Sequence, residues 1–111
     1  MNALLQKAFA ALCEAEGLPR PIFEVQIKAL LPRRWRYDIG FPDQMVLVEV
    51  EGGAFQQGRH VRGKGFLGDM EKYNAAEELG YHVLRYTPQQ ILTLEAIHQI
   101  QRVIQRGEEV R

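Results

Sequence analysis

Asp38, Glu49 and Glu51 are the residues of this chain whose type and spacing best suit chemistry. They sit in two segments, Trp35-Arg36-Tyr37-Asp38-Ile39-Gly40-Phe41-Pro42 and Val48-Glu49-Val50-Glu51-Gly52-Gly53, that are otherwise largely apolar. Side chains two apart on a strand share a face and lie about 7 Å apart, so Glu49 and Glu51 point the same way. If the strand bearing Asp38 pairs with theirs, Asp38 comes opposite or diagonal to Glu49, within reach of one ion. Two or three carboxylates, with the Val50 carbonyl and water, make the hard oxygen set that Mg²⁺ or Mn²⁺ accepts. Such an ion activates water and neutralises charge building on a phosphate. The same spacing also suits cross-strand salt bridges from these acids to Arg34 and Arg36, and spacing alone leaves both readings open.

The elements that must hold these acids follow from hydrophobic periodicity. Leu4, Leu5, Ala8, Phe9 and Leu12 recur at helical spacing over residues 2–16, and Gly17-Leu18-Pro19 supplies the stop. Phe23, Val25, Ile27 and Ala29 then alternate with polar residues as in a half-buried strand. After a turn at Leu30-Leu31-Pro32-Arg33, Trp35, Tyr37, Ile39 and Phe41 alternate with Arg34, Arg36, Asp38 and Gly40. This alternation makes the aromatic residues core rather than base-stacking platforms. Pro42-Asp43-Gln44 turns the chain into a third strand over residues 45–51. Residues 52–65 carry glycines at 52, 53, 58, 63 and 65 and read as a long functional loop. A helix over residues 66–79 presents Phe66, Met70, Tyr73, Ala76 and Leu79 on one face and stops at Gly80. Tyr81 to Tyr86 reads as a fourth strand, with His82 structural. Thr87-Pro88-Gln89-Gln90 opens a last helix over residues 88–106 with a capping box. Its buried face carries Ile91, Leu94, Ile97, Ile100, Val103 and Ile104. The order α-β-β-β-α-β-α gives an α+β fold with a four-stranded sheet in a single domain over residues 1–111.

The 111 residues suit one core. Hydrophobic and charged fractions of 46% and 25% are those of an ordinary globular protein. No apolar run approaches the roughly 20 residues that span a bilayer, and the N-terminus lacks the pattern of a signal peptide. One cysteine, Cys13, excludes an internal disulfide and a cysteine-based zinc site, and suits a reducing cytoplasm. It reads as a small buried hydrophobe. A net charge of zero argues against a generic nucleic-acid coat, but the charges are segregated. Lys28, Arg33, Arg34 and Arg36 precede the acids, and Arg59, His60, Arg62 and Lys64 follow them. Basic segments on either side of an acidic centre suit a polyanion held over a metal.

A strand Asp, a turn and a strand Glu-X-Glu in this element order resemble the PD-(D/E)XK nuclease superfamily. The string continues through Gly58-Arg59-His60-Val61-Arg62-Gly63-Lys64-Gly65-Phe66 and Asp69-Met70-Glu71-Lys72-Tyr73-Asn74. Over residues 33–87 it is similar to small phage-type endonuclease-like proteins akin to very-short-patch-repair nucleases. The resemblance implies a restriction-endonuclease-like αβββαβ core with an extra C-terminal helix and a mixed sheet flanked by helices. It also implies a metal-dependent DNA endonuclease that hydrolyses phosphodiester bonds. Asp38, Glu49 and the Val50 carbonyl would bind Mg²⁺ or Mn²⁺. The third motif position, a Lys in many relatives, is Glu51 here, which leaves it as a further ligand or a general base. Lys72 on the following helix would supply the missing positive charge, and His60 would bind metal, donate a proton or contact phosphate. Arg34, Arg36, Arg59, Arg62, Lys64 and Asn74 would contact DNA, branched or mismatched forms included. A homodimer would give two active sites for two strands. The Lys-to-Glu departure supports an alternative, a catalytically impaired nuclease-fold module that binds nucleic acid or a protein partner. A His-Asn-His site from His60, Asn74 and His82 needs a ββα order that this chain lacks.

Overall fold

The structure, a computed structural model, describes residues 1–52 and 64–110. Its elements are α1 (Ala3–Ala15), β1 (Ile22–Val25), β2 (Tyr37–Phe41), β3 (Val46–Val50), α2 (Lys64–Glu78), β4 (His82–Tyr86), α3 (Pro88–Ile91) and α4 (Leu94–Val110). Short 3₁₀ turns at Lys28–Leu30 and Pro42–Gln44 join the first three strands. The sheet order is β1-β2-β3-β4, with two antiparallel ladders followed by a parallel one. The fold is therefore α+β with a mixed four-stranded sheet. Among the described residues no helix is long and apolar enough to cross a membrane.

Helix ends follow local chemistry. Gly17 adopts φ 78°, and the Gly17 and Leu18 amides return to Glu14 and Cys13 carbonyls at 3.2 and 2.9 Å. Gly80 (φ 95°) closes α2 in the same way, with Gly80 and Tyr81 bonding back to Glu77 and Ala76. Thr87 and Gln90 form the expected reciprocal capping box. The single helix expected over residues 88–106 is instead two. Thr93 breaks it: its hydroxyl donates to the Gln90 carbonyl at 2.7 Å and accepts the Ala96 amide at 3.2 Å, starting α4 afresh.

The sheet separates two cores. On one side Ile39, Phe41, Val46 and Val48 pack with Phe9 and Cys13 of α1 and with Ala96, Ile97, Ile100 and Ile104 of α4. On the other, Leu47 packs with Ile27, Tyr37 and Ala76 of α2. Cys13 is buried as expected, and burial pushes its thiol pKa up to about 12. Several expected core positions face solvent instead: Leu4 (81% exposed), Leu94 (51%), Met70 (48%) and Leu79 (39%). The inward stripe of α1 is Leu5, Phe9, Leu12 and Cys13, one step round the helix from the expected one.

The strict alternation expected over residues 23–29 and 35–41 also fails, for one shared reason. Glu24 sits in the left-handed region (φ 54°), so Phe23 packs on the α1–α4 side while Val25 turns to the α2 side. Val25 pairs with Tyr37, and Tyr37 accordingly leaves the face of Ile39 and Phe41 to join Leu47 and Ala76. Residues 26–29 do not continue β1 and enter a 3₁₀ turn. Gly40 makes this crossing possible, because a Cβ there would meet Val25 Cγ1 at 2.6 Å and Leu47 Cδ2 at 3.4 Å. Gly40→Ala is expected to destabilise the domain by about 1–3 kcal/mol. Urea unfolding should show this as a lower midpoint at unchanged slope.

Candidate metal centre at the fork of β2 and β3

The β2–β3 ladder pairs Phe41 with Val46, Gly40 with Leu47 and Ile39 with Val48. Continued by one step, this register sets Asp38 opposite Glu49, as the spacing anticipated. The two strands part at that step. The Val50 amide, which faces β2, donates to Asp38 Oδ2 at 2.7 Å instead of to a β2 carbonyl. The Glu51 amide faces the other way and donates to the Tyr86 carbonyl of β4 at 2.8 Å. Amide and carbonyl of one strand residue point to the same side, so the Val50 carbonyl also faces the Asp38 edge.

Glu49 is the buried charged residue of the sheet, 5% exposed. Lys72 Nζ stands 2.7 Å from its Oε1, yet that buried oxygen has no well-directed hydrogen bond. The contact is an ion pair held by charge and proximity. Burial first, then the neighbouring Asp38 carboxyl, pushes the Glu49 pKa up to about 8, and Lys72 offsets this only in part. The Lys72 backbone is fixed as well, because the Tyr37 hydroxyl donates to its carbonyl at 2.8 Å. Burial and the Glu49 charge raise the Tyr37 hydroxyl to about 12, so it remains a donor.

Glu51 has a different environment. Its Oε1 accepts from Tyr73 Oη at 3.0 Å and from Arg85 Nε at 2.9 Å, with the second Arg85 nitrogen at 2.8 Å. The Arg85 guanidinium also stacks 4.4 Å over the Tyr73 ring. One oxygen thus holds three donor atoms, and the carboxylate is committed to a bracket between β3, β4 and α2. Among the described residues no three His, Cys, Asp or Glu side chains converge as a metal cluster. The acids divide into a pair, Asp38 and Glu49, and an outlier, Glu51.

Arg34 and Arg36 are exposed and make no ion pair among the described residues. The three acids take Lys72, Arg85, Tyr73 and the Val50 amide as partners, so the cross-strand pairing with Arg34 and Arg36 does not form. Asn74 is exposed on another face of α2, in a groove of about 620 Å³ with Arg33, Trp35 and Glu71. There Arg33 lies 4.4 Å over the half-buried Trp35 ring and 3.3 Å from Glu71. His60, Arg59 and Arg62 lie outside the described residues, as does the side chain of Lys64 at the start of α2. His82, expected to be structural, is exposed on β4.

Sequence reasoning missed Arg85 and the hydrogen-bonding role of Tyr73. The signal for Arg85 was available only through topology: parallel pairing of β4 with β3 sets Arg85 level with Glu49, beside Glu51.

The donor set fits a hard divalent ion. Asp38 is pinned by one oxygen, Glu49 has an oxygen lacking a directed donor, and the Val50 carbonyl faces the same edge. Comparison of the chain with protein-family models, with curated proteins and with solved structures returned no match.

Proposed function

We propose that this chain is a metal-dependent DNA endonuclease of the PD-(D/E)XK, restriction-endonuclease-like kind. The observation that carries the reading is the Asp38–Glu49 pair at the fork of β2 and β3, with a buried Glu49 oxygen matched by charge but not by a directed hydrogen bond. Asp38, Glu49 and the Val50 carbonyl would hold Mg²⁺ or Mn²⁺. Bound there, the ion supplies a Lewis acid for a phosphate oxygen and lowers the pKa of water. Lys72 takes the role of the lysine absent at position 51, with its ammonium beside the acids. Glu51 acts at one remove, clamping Arg85 and Tyr73 behind the pair. Arg34 and Arg36, exposed and without an ion pair among the described residues, suit contact with a DNA backbone.

The test is incubation of purified protein with Mg²⁺ or Mn²⁺ and duplex, flap, branched and single-stranded DNA. Cleavage of at least one substrate is expected, falling by about 10³-fold in Glu49→Ala. No cleavage of any, with Glu49→Ala indistinguishable from wild type, would sink the reading. A second reading is a nuclease-like module that binds nucleic acid or a protein partner without chemistry. It is favoured by the commitment of Glu51 to Arg85 and Tyr73. DNA binding that is indifferent to chelation of divalent ions would select it.

A further inference from the structure

Lys72 does something beyond supplying charge. Its ammonium lies against Glu49 Oε1, the oxygen with no directed hydrogen bond. A divalent ion coordinates a carboxylate oxygen at about 2.0–2.1 Å for Mg²⁺. On the two lone-pair directions of that oxygen, an ammonium 2.7 Å away and the ion would stand only about 4 Å apart. Like charges so close in a buried site repel strongly. We infer that Lys72 is a tethered counter-cation that holds the place of the divalent ion at Glu49, and that its ammonium moves onto the Tyr37 and Tyr73 rings when the ion enters. The inference rests on the metal-binding part of the proposed function.

The surroundings of Lys72 are built for this exchange. Its main chain is anchored, because the Tyr37 hydroxyl donates to its carbonyl at 2.8 Å. The side chain is 14% exposed, so the ammonium has little open water to retreat into. What it has is aromatic surface: Nζ lies 4.8 Å from the Tyr37 ring centroid and 5.9 Å from that of Tyr73. Both are within cation–π reach, and the four-carbon stem lets the head shift while the backbone stays fixed. Arg85 lies over the Tyr73 ring, which leaves Tyr37 as the better resting place.

A site blocked part of the time binds with an apparent dissociation constant raised by the inverse of its open fraction. If Lys72 covers Glu49 for nine-tenths of the time or more, removing it tightens binding by about tenfold or more. Mn²⁺ titration of wild type and Lys72→Met, followed by electron paramagnetic resonance, reads this directly. In parallel, wild-type protein with ¹³C-labelled lysine ε-carbons is titrated with diamagnetic Mg²⁺. The expected results are tighter Mn²⁺ binding by Lys72→Met and an upfield ring-current shift of the Lys72 signal in wild type. A Lys72 signal that stays in place while wild type binds Mg²⁺ overturns the inference and leaves metal binding intact, whatever the variant's affinity. Variant binding no tighter than wild type overturns it likewise. No binding by either protein removes the metal reading itself, and this inference with it. Should Lys72→Met fail to fold, the wild-type lysine signal decides.

Discussion

Changing Asp38 to Asn is expected to lower metal-dependent cleavage by about three orders of magnitude while leaving the melting temperature close to that of wild type. Changing it to Ala is expected to lower both. The two variants separate the two tasks of this side chain. Asp38 Oδ2 accepts the Val50 amide at 2.7 Å, and an Asn side-chain oxygen can accept the same bond. What Asn removes is the negative charge that a hard cation requires. Ala removes the acceptor too, leaving the Val50 amide without a partner where the ladder has already ended. An orphaned amide of this kind costs about 1–3 kcal/mol, a drop of several degrees in a domain of this size. Cleavage assays with Mg²⁺ and thermal melts in chelator check the pair. Full activity in Asp38→Asn would exclude Asp38 as a ligand.

The second large effect is on stability as a function of pH. Glu49 has its folded pKa raised to about 8, from an ordinary value of 4.5, by burial and then by Asp38. A carboxyl raised in this way binds its proton more tightly when folded than when unfolded. Its favourable contribution is complete below the unfolded pKa and is lost as pH rises from about 4.5 through about 8. The Gln of Glu49→Gln stays neutral throughout. Melted in chelator, wild type and Glu49→Gln should therefore differ little near pH 4. As pH rises, the variant should gain on wild type by on the order of a few kcal/mol, and the difference should level off above pH 8. A difference between the two that does not change from pH 4 to 9 would mean that folding does not raise the Glu49 pKa.

How much of this was legible in the sequence depended on how far apart the deciding groups lie. The stops at Gly17 and Gly80 and the Thr87–Gln90 box were readable, because a cap is made by residues within one turn of each other. The cap at Thr93 is equally local, but the apolar repeat of residues 91–104 runs through it and hides the break. The placing of Asp38 across from Glu49 follows from the sequence because an antiparallel hairpin with a short turn fixes its own register. The crossing of Val25 and Tyr37 to the α2 side was not legible. It depends on a left-handed Glu24, and glutamate gives no hint of that conformation. The separation of Glu51 from the other two acids was equally hidden. Period-two spacing groups it with Glu49, whereas Arg85 and Tyr73, 34 and 22 residues further on, take it away.

The commitment of the Val50 amide to Asp38 has a consequence for how such a domain can change over time. With that amide taken, β2 and β3 cannot zip together beyond Ile39 and Val48, so the fork stays open whatever fills the core beneath it. The α1–α4 side is apolar packing, which tolerates exchange of one hydrophobe for another of like volume. The α2 side carries Lys72, Tyr73 and the bracket on Glu51. Substitutions there change the surroundings of the Asp38–Glu49 pair without a new scaffold. The sheet thus keeps inheritance of the fold on one face and room for innovation on the other.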